Sequence, residues 1–253
     1  MAKSTKDISW GNFKPASTVV PFRLIWRSYG PEKVGKNYFG LTGPGPIAIQ
    51  SFDIGLEGVV EQFAQKKEIV VTHYEFDKND CTQDAAIDIR DRFIGDYTVA
   101  LTKAKTIQWD TETELWEIFR FAEFGVMSDA PKNYVGLNAK YRDLIQQAYT
   151  ANVNLQLIQK VKEKWGTIQK VNREGRLVDS PYPTGEMEPT GFKEAGYIVQ
   201  ANIRHSWDKE AGFGIHVLNC RQNMSVAGET YYNISLPELG QLVFEDSDED
   251  SWR

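Results

Sequence analysis

Residues 30–37 of the chain read Gly30-Pro31-Glu32-Lys33-Val34-Gly35-Lys36-Asn37. This is the G-x-x-x-x-G-K pattern of a phosphate-binding loop, in which backbone N–H groups surround the phosphates and the lysine reaches the β- and γ-phosphates. The pattern normally continues with Ser or Thr, whose hydroxyl binds Mg²⁺, but Asn37 stands there instead. All eight residues are therefore predicted to bind a nucleotide. Asn37 leaves open whether that nucleotide is hydrolysed.

Strand-like and helix-like runs flank this loop. Residues 19–26 are rich in β-forming side chains, and residues 37–41 can begin a short helix that Gly43-Pro44-Gly45-Pro46 ends. A phosphate loop needs this setting, because the N-terminus of the helix then faces the phosphates. The context favours nucleotide binding over the alternative, a glycine-rich surface turn.

Further strands and helices alternate along the chain. This alternation predicts an α/β fold with a mostly parallel sheet and helices on both faces. Two later strands are expected to extend the sheet in antiparallel fashion, after a Gly-, Pro- and charge-rich stretch, 166–192, that reads as a hairpin or mobile loop. The predicted strands are 47–52, 69–74, 106–110, 153–158, 197–204 and 214–219, and the predicted helices are 55–63, 82–103, 111–122, 134–150 and a short one from 235.

Composition limits the class of protein. The 253 residues are 41% hydrophobic, which is enough for a sizeable core, and no apolar run is long enough to span a membrane. The polar N-terminus lacks the apolar stretch of a signal peptide. The two cysteines, Cys81 and Cys220, suit free thiols in a reducing cytosol, and the three histidines are too scattered for a metal site. We therefore expect a cytoplasmic protein without a membrane partner.

Charge is concentrated at the C-terminus. Residues 245–253 carry five acidic side chains and one arginine, which is −4 of the total formal charge of −6. Such a tail is usually disordered and solvated, although it can also compete for a basic surface or dock a partner. The predicted organisation is an N-terminal arm at 1–18, a nucleotide-binding domain at 19–244 and an acidic tail at 245–253.

Several polar side chains follow predicted strands, where an open parallel sheet forms its ligand crevice. Asp110 is expected to bind Mg²⁺ together with Asn37, although a strand-end Asp also commonly caps the next helix. Asp53 and Glu57 follow the second strand and can hold the attacking water or cap a helix. Gln159 can contact the γ-phosphate and report its loss, or be an ordinary polar residue at a strand end.

Asn37 changes the expected rate of hydrolysis. Its amide oxygen is an acceptable ligand for Mg²⁺, but because the side chain is longer than that of Ser, the metal must shift or a water must intervene. Metal placement contributes several kcal/mol to transition-state stabilisation, so a partial loss slows turnover by roughly one or two orders of magnitude. We expect ATP binding to survive better than hydrolysis.

An ordered set of motifs resembles phage-encoded RecA-like ATPases, the small recombinase-core proteins associated with single-strand annealing. The resemblance spans roughly residues 20–225, and this chain departs from it at Asn37 and at Gln50-Ser51. The motifs are residues 30–36, Gly43-Pro44-Gly45-Pro46-Ile47, Asp53-Ile54-Gly55-Leu56-Glu57-Gly58-Val59, Asp110-Thr111-Glu112-Thr113-Glu114-Leu115-Trp116 and Lys160-Val161-Lys162-Glu163-Lys164-Trp165.

The resemblance implies a RecA-like P-loop core that binds single-stranded DNA, with ATP and Mg²⁺ as cofactors, in a bacterial host cell. It also implies Lys36 as the phosphate lysine, Asp110 as the metal-side carboxylate, and a single-strand-binding protein as a partner. RecA-type cores often place the nucleotide between subunits, so a homo-oligomeric ring or filament is possible.

The residues themselves support DNA binding independently of the resemblance. Cations beside an aromatic side chain suit a surface that tracks a nucleic-acid backbone and stacks bases, although the same charges can simply protect a strand edge. A second candidate DNA loop lies between Gly125 and Tyr134. The residues predicted to contact DNA are Lys132, Tyr134, Lys160, Lys162, Lys164, Trp165, Arg173 and Arg176.

Three functions remain to be compared. The first is an ATP-dependent DNA recombination or annealing protein, favoured by Lys36 and Asp110. The second is a non-catalytic nucleotide-binding module that acts through protein contacts, favoured by Asn37. A nucleotide kinase is weaker, because it needs an arginine-rich lid and Arg173 with Arg176 are too few.

Overall fold

The computed structural model describes residues 22–53, 55–77, 81–125, 134–171, 173 and 175–252. Its centre is an eight-stranded sheet with the order β10-β9-β8-β1-β5-β4-β2-β3. Strands β8, β1, β5, β4, β2 and β3 are parallel, and β9 runs antiparallel to both of its neighbours. The strands are β1 Ile25–Tyr29, β2 Ile47–Ser51, β3 Ile69–His73, β4 Thr106–Asp110, β5 Asn154–Gln159, β8 Ala201–Asp208, β9 Gly212–Cys220 and β10 Thr230–Tyr232.

Helices cover both faces of this sheet. The helices are α1 Lys36–Leu41, α2 Glu61–Ala64, α3 Gln83–Lys103, α4 Glu112–Phe124, α5 Tyr134–Ala151, α6 Ala195–Ile198 and α7 Leu236–Val243. Three of them begin with a side-chain cap: Thr82, Thr111 and Ser235 each accept a hydrogen bond from a backbone N–H in the first turn of α3, α4 and α7.

Alternation along the strands divides the core between the two faces. Ile25 packs in an aromatic-rich cluster with α3, α4 and α5, whereas its neighbour Trp26 packs in the cluster that holds α1 and α7. Strand β4 is buried along its whole length because both of its faces are covered.

A long hairpin leaves the sheet after β5. Strands β6 Val161–Val171 and β7 Leu177–Pro189 pair only with each other, in antiparallel register, and most of their side chains are exposed. We call residues 161–189 the ribbon. Of the two predicted alternatives for the stretch 166–192, a hairpin and a mobile loop, the structure shows the hairpin, and it begins five residues earlier than expected.

Three predicted elements differ from the structure. The first strand is shifted towards the loop, since β1 ends at Tyr29 rather than at Trp26. The helix expected at 55–63 is mostly turns, and only its last part becomes α2. Tyr197 and Ile198 lie in α6 instead of a strand, because their carbonyls accept hydrogen bonds from Arg221 and Tyr149 rather than from a neighbouring strand.

The acidic tail is also more ordered than expected. Residues 249–252 form a 3₁₀ turn, and Trp252 is 1% exposed. Its indole packs against Phe244 and donates a hydrogen bond to Ser247 Oγ at 2.9 Å. This single aromatic anchor holds the tail against α7. The predicted arm at 1–18 lies outside the described residues.

The predicted fold class is confirmed: a mostly parallel α/β sheet with helices on both faces and an antiparallel C-terminal extension. Among the described residues, no helix is both long and apolar enough to cross a bilayer.

Candidate functional site

The carboxyl ends of four parallel strands meet at one edge of the sheet. Tyr29 at the end of β1 lies opposite Gln159 of β5, and Asp110 of β4 lies opposite Ile158 of β5 and Ser51 of β2. The open edge of a parallel sheet is where ligands bind in α/β proteins. The predicted loop, metal-side carboxylate and strand-end polar residues therefore converge on one crevice.

The loop after β1 is a tight turn that requires glycine at two positions. Gly30 and Gly35 have positive φ angles of 149° and 81°, a conformation that favours glycine. A Cβ at Gly30 would lie 2.5 Å from the carbonyl oxygen of His205, so the backbone also approaches too closely for a side chain. Lys36 Nζ donates to the carbonyl oxygens of Gly30 and Pro31 at 3.0 and 2.5 Å, which places its charge inside the curl of the loop.

Asn37 and Asp110 are in direct contact. Asn37 Nδ2 donates a hydrogen bond to Asp110 Oδ2 at 3.0 Å across 73 residues of sequence. Burial raises the pKa of Asp110 to about 6, against the lowering effect of the Asn37 hydrogen bond and with a further raising effect from the charge of Asp53. The two residues predicted to share a metal are thus neighbours beside Lys36.

The donor set suits Mg²⁺ only in part. Amide and carboxylate oxygens are ligands that this cation accepts, and it is usually held by one or two carboxylates plus phosphates and water. Among the described residues, no group of three His, Cys, Asp or Glu side chains is arranged to hold a metal by itself. Asn37 and Asp110 would therefore hold Mg²⁺ only together with oxygens of a bound nucleotide.

A buried polar layer supports the loop from below. Gln156 Nε2 donates to Ser28 Oγ and to the Lys36 carbonyl, both at 2.9 Å, and Gln108 Nε2 donates to the Asn37 carbonyl at 3.4 Å. His205 Nε2 lies 2.9 Å from Ser28 Oγ, and burial lowers its pKa to about 3. Sequence reasoning missed this layer, although glutamines in the middle of buried strands were a usable signal.

Gln159 does not face the loop. Every second residue of a strand points to the same face, so Gln159 shares its face of β5 with Leu155 and Leu157. This is the face that packs against α3, α4 and α5. Its Nε2 donates to Glu112 Oε2 at 2.7 Å, while Gln159 Oε1 is buried without a hydrogen-bond partner. The sensor role predicted for Gln159 would therefore act through Glu112 or require a different rotamer.

Besides the buried polar layer beneath the loop, sequence reasoning also missed Glu112. Its carboxylate is fully buried, and it accepts hydrogen bonds from Gln159, from Tyr141 Oη at 2.9 Å and from the Phe192 N–H at 3.2 Å. Burial raises its pKa to about 8, against the lowering effect of these hydrogen bonds. Glu112 follows Asp110 by two residues, and it accepts a hydrogen bond from Phe192, which follows the ribbon. It therefore links the crevice to the segment after the ribbon.

Asp53 and Glu57 lie beside the crevice, on the β2 side. Both are exposed and line a cavity of about 770 Å³ that continues past the ends of β2 and β3. The charge of Asp53 adds to the raising effect of burial on the pKa of Asp110, and it opposes the lowering effect of burial on the pKa of Lys36. Of the two predicted water-holding carboxylates, Asp53 is the better placed.

The predicted DNA residues separate into two environments. Lys162 and Lys164 pair with Glu188 and Glu186 across the ribbon, at 3.3 and 2.8 Å, and Trp165 is 61% exposed. Arg173 and Arg176 lie at the far end of the ribbon. Lys160 instead lies at the ribbon's base, where it pairs with Glu114 at 2.6 Å.

The second candidate DNA loop is only partly described. Tyr134 begins α5, and its hydroxyl accepts a hydrogen bond from Arg120 Nε at 3.1 Å. Its ring packs against Trp116 and Phe124, which is a structural environment rather than a stacking surface. Lys132 lies outside the described residues.

No protein-family model matches the sequence, and a search of curated proteins finds no match. The fold is similar to that of a solved structure titled as the RadB recombinase, with a TM-score of 0.50 and 11% sequence identity. The match covers 83% of this chain and 86% of that one. At this identity the likeness concerns the fold alone, and it supports a RecA-like recombinase fold.

Proposed function

We propose that this protein is a RecA-like, ATP-binding protein of the DNA recombination or annealing type, with slow ATP hydrolysis. The observation that carries the proposal is the convergence of Lys36, Asn37 and Asp110 at the edge of a RecA-like sheet. A cationic loop residue and a metal-side carboxylate from distant parts of the chain are two of the components that phosphoryl transfer commonly uses.

The chain's own residues would divide the work of binding. The backbone of residues 30–37 surrounds the phosphates, and Lys36 neutralises their charge. Asn37 and Asp110 would hold Mg²⁺, and the cation would offset the negative charge that develops on the phosphates. Asp53 is the carboxylate placed to orient a water at the open side of the crevice.

DNA binding is proposed for the ribbon. Its far end carries Arg173 and Arg176, and its length carries the exposed Trp165, a combination that suits backbone tracking and base stacking on a single strand. The pairing of Lys162 and Lys164 with glutamates reduces their share of the positive charge. A single-strand-binding protein and further copies of this chain are proposed as partners on the basis of the resemblance.

A phosphate-release assay on wild type and Asn37→Thr tests the enzymatic part. Because a threonine hydroxyl restores the usual metal position, the variant is expected to hydrolyse ATP roughly 10- to 100-fold faster, at similar ATP affinity. Equal or faster release by wild type would contradict impaired hydrolysis. Stimulation by single-stranded DNA would support the recombination function.

The second candidate is a non-catalytic nucleotide-binding module that acts through protein contacts. The hydrogen bond from Asn37 to Asp110 favours it, because it occupies the carboxylate that would otherwise be free to receive the metal. The same assay separates the two. Tight ATP binding without turnover, with or without DNA and also in Asn37→Thr, would favour the module.

A further inference from the structure

Lys160 is the first residue after β5, and β5 lies directly beside the loop strand β1. Gln159 pairs with Tyr29 in parallel register, so Lys160 follows the same edge of the sheet as Gly30, where the loop begins. The backbone of Lys160 therefore leaves the sheet at the same edge as the loop, beside the end of β1. Its side chain begins at the mouth of the crevice.

The backbone of Lys160 is fixed on both sides. Its N–H donates to Thr113 Oγ1 at 3.0 Å, and its carbonyl accepts from the Thr190 N–H at 2.9 Å and from Thr190 Oγ1 at 3.0 Å. These three bonds tie the residue to the first turn of α4 and to the other end of the ribbon. Movement at this position is thereby confined to the side chain.

The side chain is directed towards the first turn of α4. Lys160 Nζ lies 2.6 Å from Glu114 Oε1, and Glu114 belongs to the first turn of α4, four residues after Asp110. An ammonium group has three N–H donors, so this pairing leaves two for another acceptor. The Lys160 side chain is still 49% exposed, which leaves it accessible from the crevice.

Lys160 shares its electrostatic surroundings with Lys36 of the loop. The two ammonium groups are close enough for their positive charges to repel each other, although carboxylates lie around both. Asp53 acts on both lysines. A phosphate group between the two ammonium groups would relieve their repulsion.

We propose that Lys160 binds the terminal phosphate of a nucleoside triphosphate and thereby distinguishes a triphosphate from a diphosphate. The inference rests on the proposed nucleotide site and adds a binding residue outside the loop. Lys36 belongs to the loop and serves both nucleotides, whereas Lys160 approaches from the neighbouring strand, on the side of Asp110 and Glu114. Only the phosphate farthest from the nucleoside reaches that side.

Lys162 provides a matched control within the same segment. It is two residues further along the chain, but it pairs with Glu188 across the ribbon rather than with a residue of the crevice. Removing its charge changes the local sequence as much as removing that of Lys160. Its position in the ribbon gives it no access to a bound nucleotide.

Calorimetric titration of the full chain with ADP and with the non-hydrolysable ATP analogue AMP-PNP, both with Mg²⁺, tests the proposal. The variants are Lys160→Met, Lys160→Arg and Lys162→Met. Loss of one charged phosphate contact is expected to weaken AMP-PNP binding by about tenfold in Lys160→Met and to leave ADP unchanged. Lys160→Arg and Lys162→Met are expected to retain the wild-type ratio of the two affinities.

The outcomes are distinguishable. A wild-type ratio in Lys160→Met, or equal weakening of both nucleotides, would overturn the role of Lys160 while leaving the nucleotide site standing. Loss of discrimination in Lys162→Met as well would also overturn it, because a general change in charge would then explain the effect. A wild type that binds neither nucleotide would refute the proposed function itself, and this inference with it.

Discussion

The crevice and the ribbon both contain conspicuous lysines, but they use them differently. In the crevice, Lys36 and Lys160 lie among Asp110, Asp53 and Glu114, residues drawn from several strands and loops. In the ribbon, Lys162 and Lys164 pair with glutamates on the adjacent strand and are otherwise exposed. Lysines that are as close in sequence as Lys160 and Lys162 therefore lie in different electrostatic environments.

The difference shows what sets the importance of a charge in this protein. Surface ion pairs contribute little, because water screens them and two long side chains lose freedom in forming them. Charges in a partly buried crevice interact more strongly, since fewer water molecules surround them. We therefore expect substitutions in the crevice to have large, specific effects, and substitutions in the ribbon to have small or salt-dependent ones.

The largest effect is expected for Lys36→Ala. Lys36 places its ammonium group inside the curl of residues 30–37, where it donates to the carbonyl oxygens of Gly30 and Pro31. Its removal is expected to weaken ATP and ADP alike by about 100-fold, as for the loss of strong charge-assisted hydrogen bonds. Calorimetric titration measures both affinities, and circular dichroism checks that the variant folds.

DNA binding without nucleotide serves as the control for Lys36→Ala. Within the described residues, the two strands of the ribbon pair only with each other and not with the central sheet that carries the loop. Unchanged DNA affinity would sharpen the contrast between the two regions. A parallel loss of DNA affinity would show that they are not independent.

The next largest effect is expected on the free energy of unfolding in acid. It comes from His205, in the buried polar layer beneath the loop. The pKa of His205 is lowered to about 3 by burial, with a smaller contribution from Lys36. Unfolded His205 binds a proton below about pH 6.5 and the folded residue does not, so stability falls as the pH drops from 6.5 towards 3. At pH 5 the loss from this residue alone is about 2 kcal/mol.

Urea unfolding of wild type and His205→Gln at pH 7 and pH 5 measures this contribution. Carboxylates change the stability of both proteins, so the informative quantity is the difference between their two losses. Wild type is expected to lose about 2 kcal/mol more than the variant. Equal losses would show that His205 is not the group that binds the proton.

A smaller effect is expected at the far end of the ribbon. If Arg173 and Arg176 contact phosphates of a single strand, the double substitution to Ala should lower DNA affinity and reduce the slope of log affinity against log salt by about 1.4. Fluorescence anisotropy at several salt concentrations gives that slope. A slope equal to that of wild type would place the DNA contacts elsewhere.

The smallest effect is expected for Lys162→Met combined with Lys164→Met. Both cations are in surface pairs with glutamates, so their removal should leave nucleotide affinity unchanged and shift the thermal midpoint little. Differential scanning calorimetry and the same titrations measure both quantities. A large loss of nucleotide affinity would show that the ribbon contributes to nucleotide binding in the crevice.

Local signals in the sequence were sufficient for much of the fold. The bounds of β4 and the start of α3 agree with the pattern, because the strand is wholly buried and Thr82 caps the helix with its side chain. The strand predicted over Tyr197 and Ile198 is wrong. Their β-favouring side chains were outweighed by contacts with Arg221 and Tyr149, which are distant in sequence.

The candidate site was predictable only where a motif carried it. Residues 30–37 and Asp110 were predicted from their pattern and position, and the structure brings them together. The contact of Glu112 with Gln159 spans 47 residues and exists because β5 lies between β1 and β4, an order that periodicity does not reveal. The position of Lys160 beside the loop depends on the same strand order.

The closed base of the ribbon has a consequence for how such a protein can change over time. The Thr190 N–H bonds the Lys160 carbonyl, so the two ends of the ribbon are tied together where they leave the sheet. Residues added to or deleted from both strands in pairs keep each side chain on its face and leave this tie in place. The ribbon is thus a replaceable module whose length and chemistry can diverge among descendants without rebuilding the crevice.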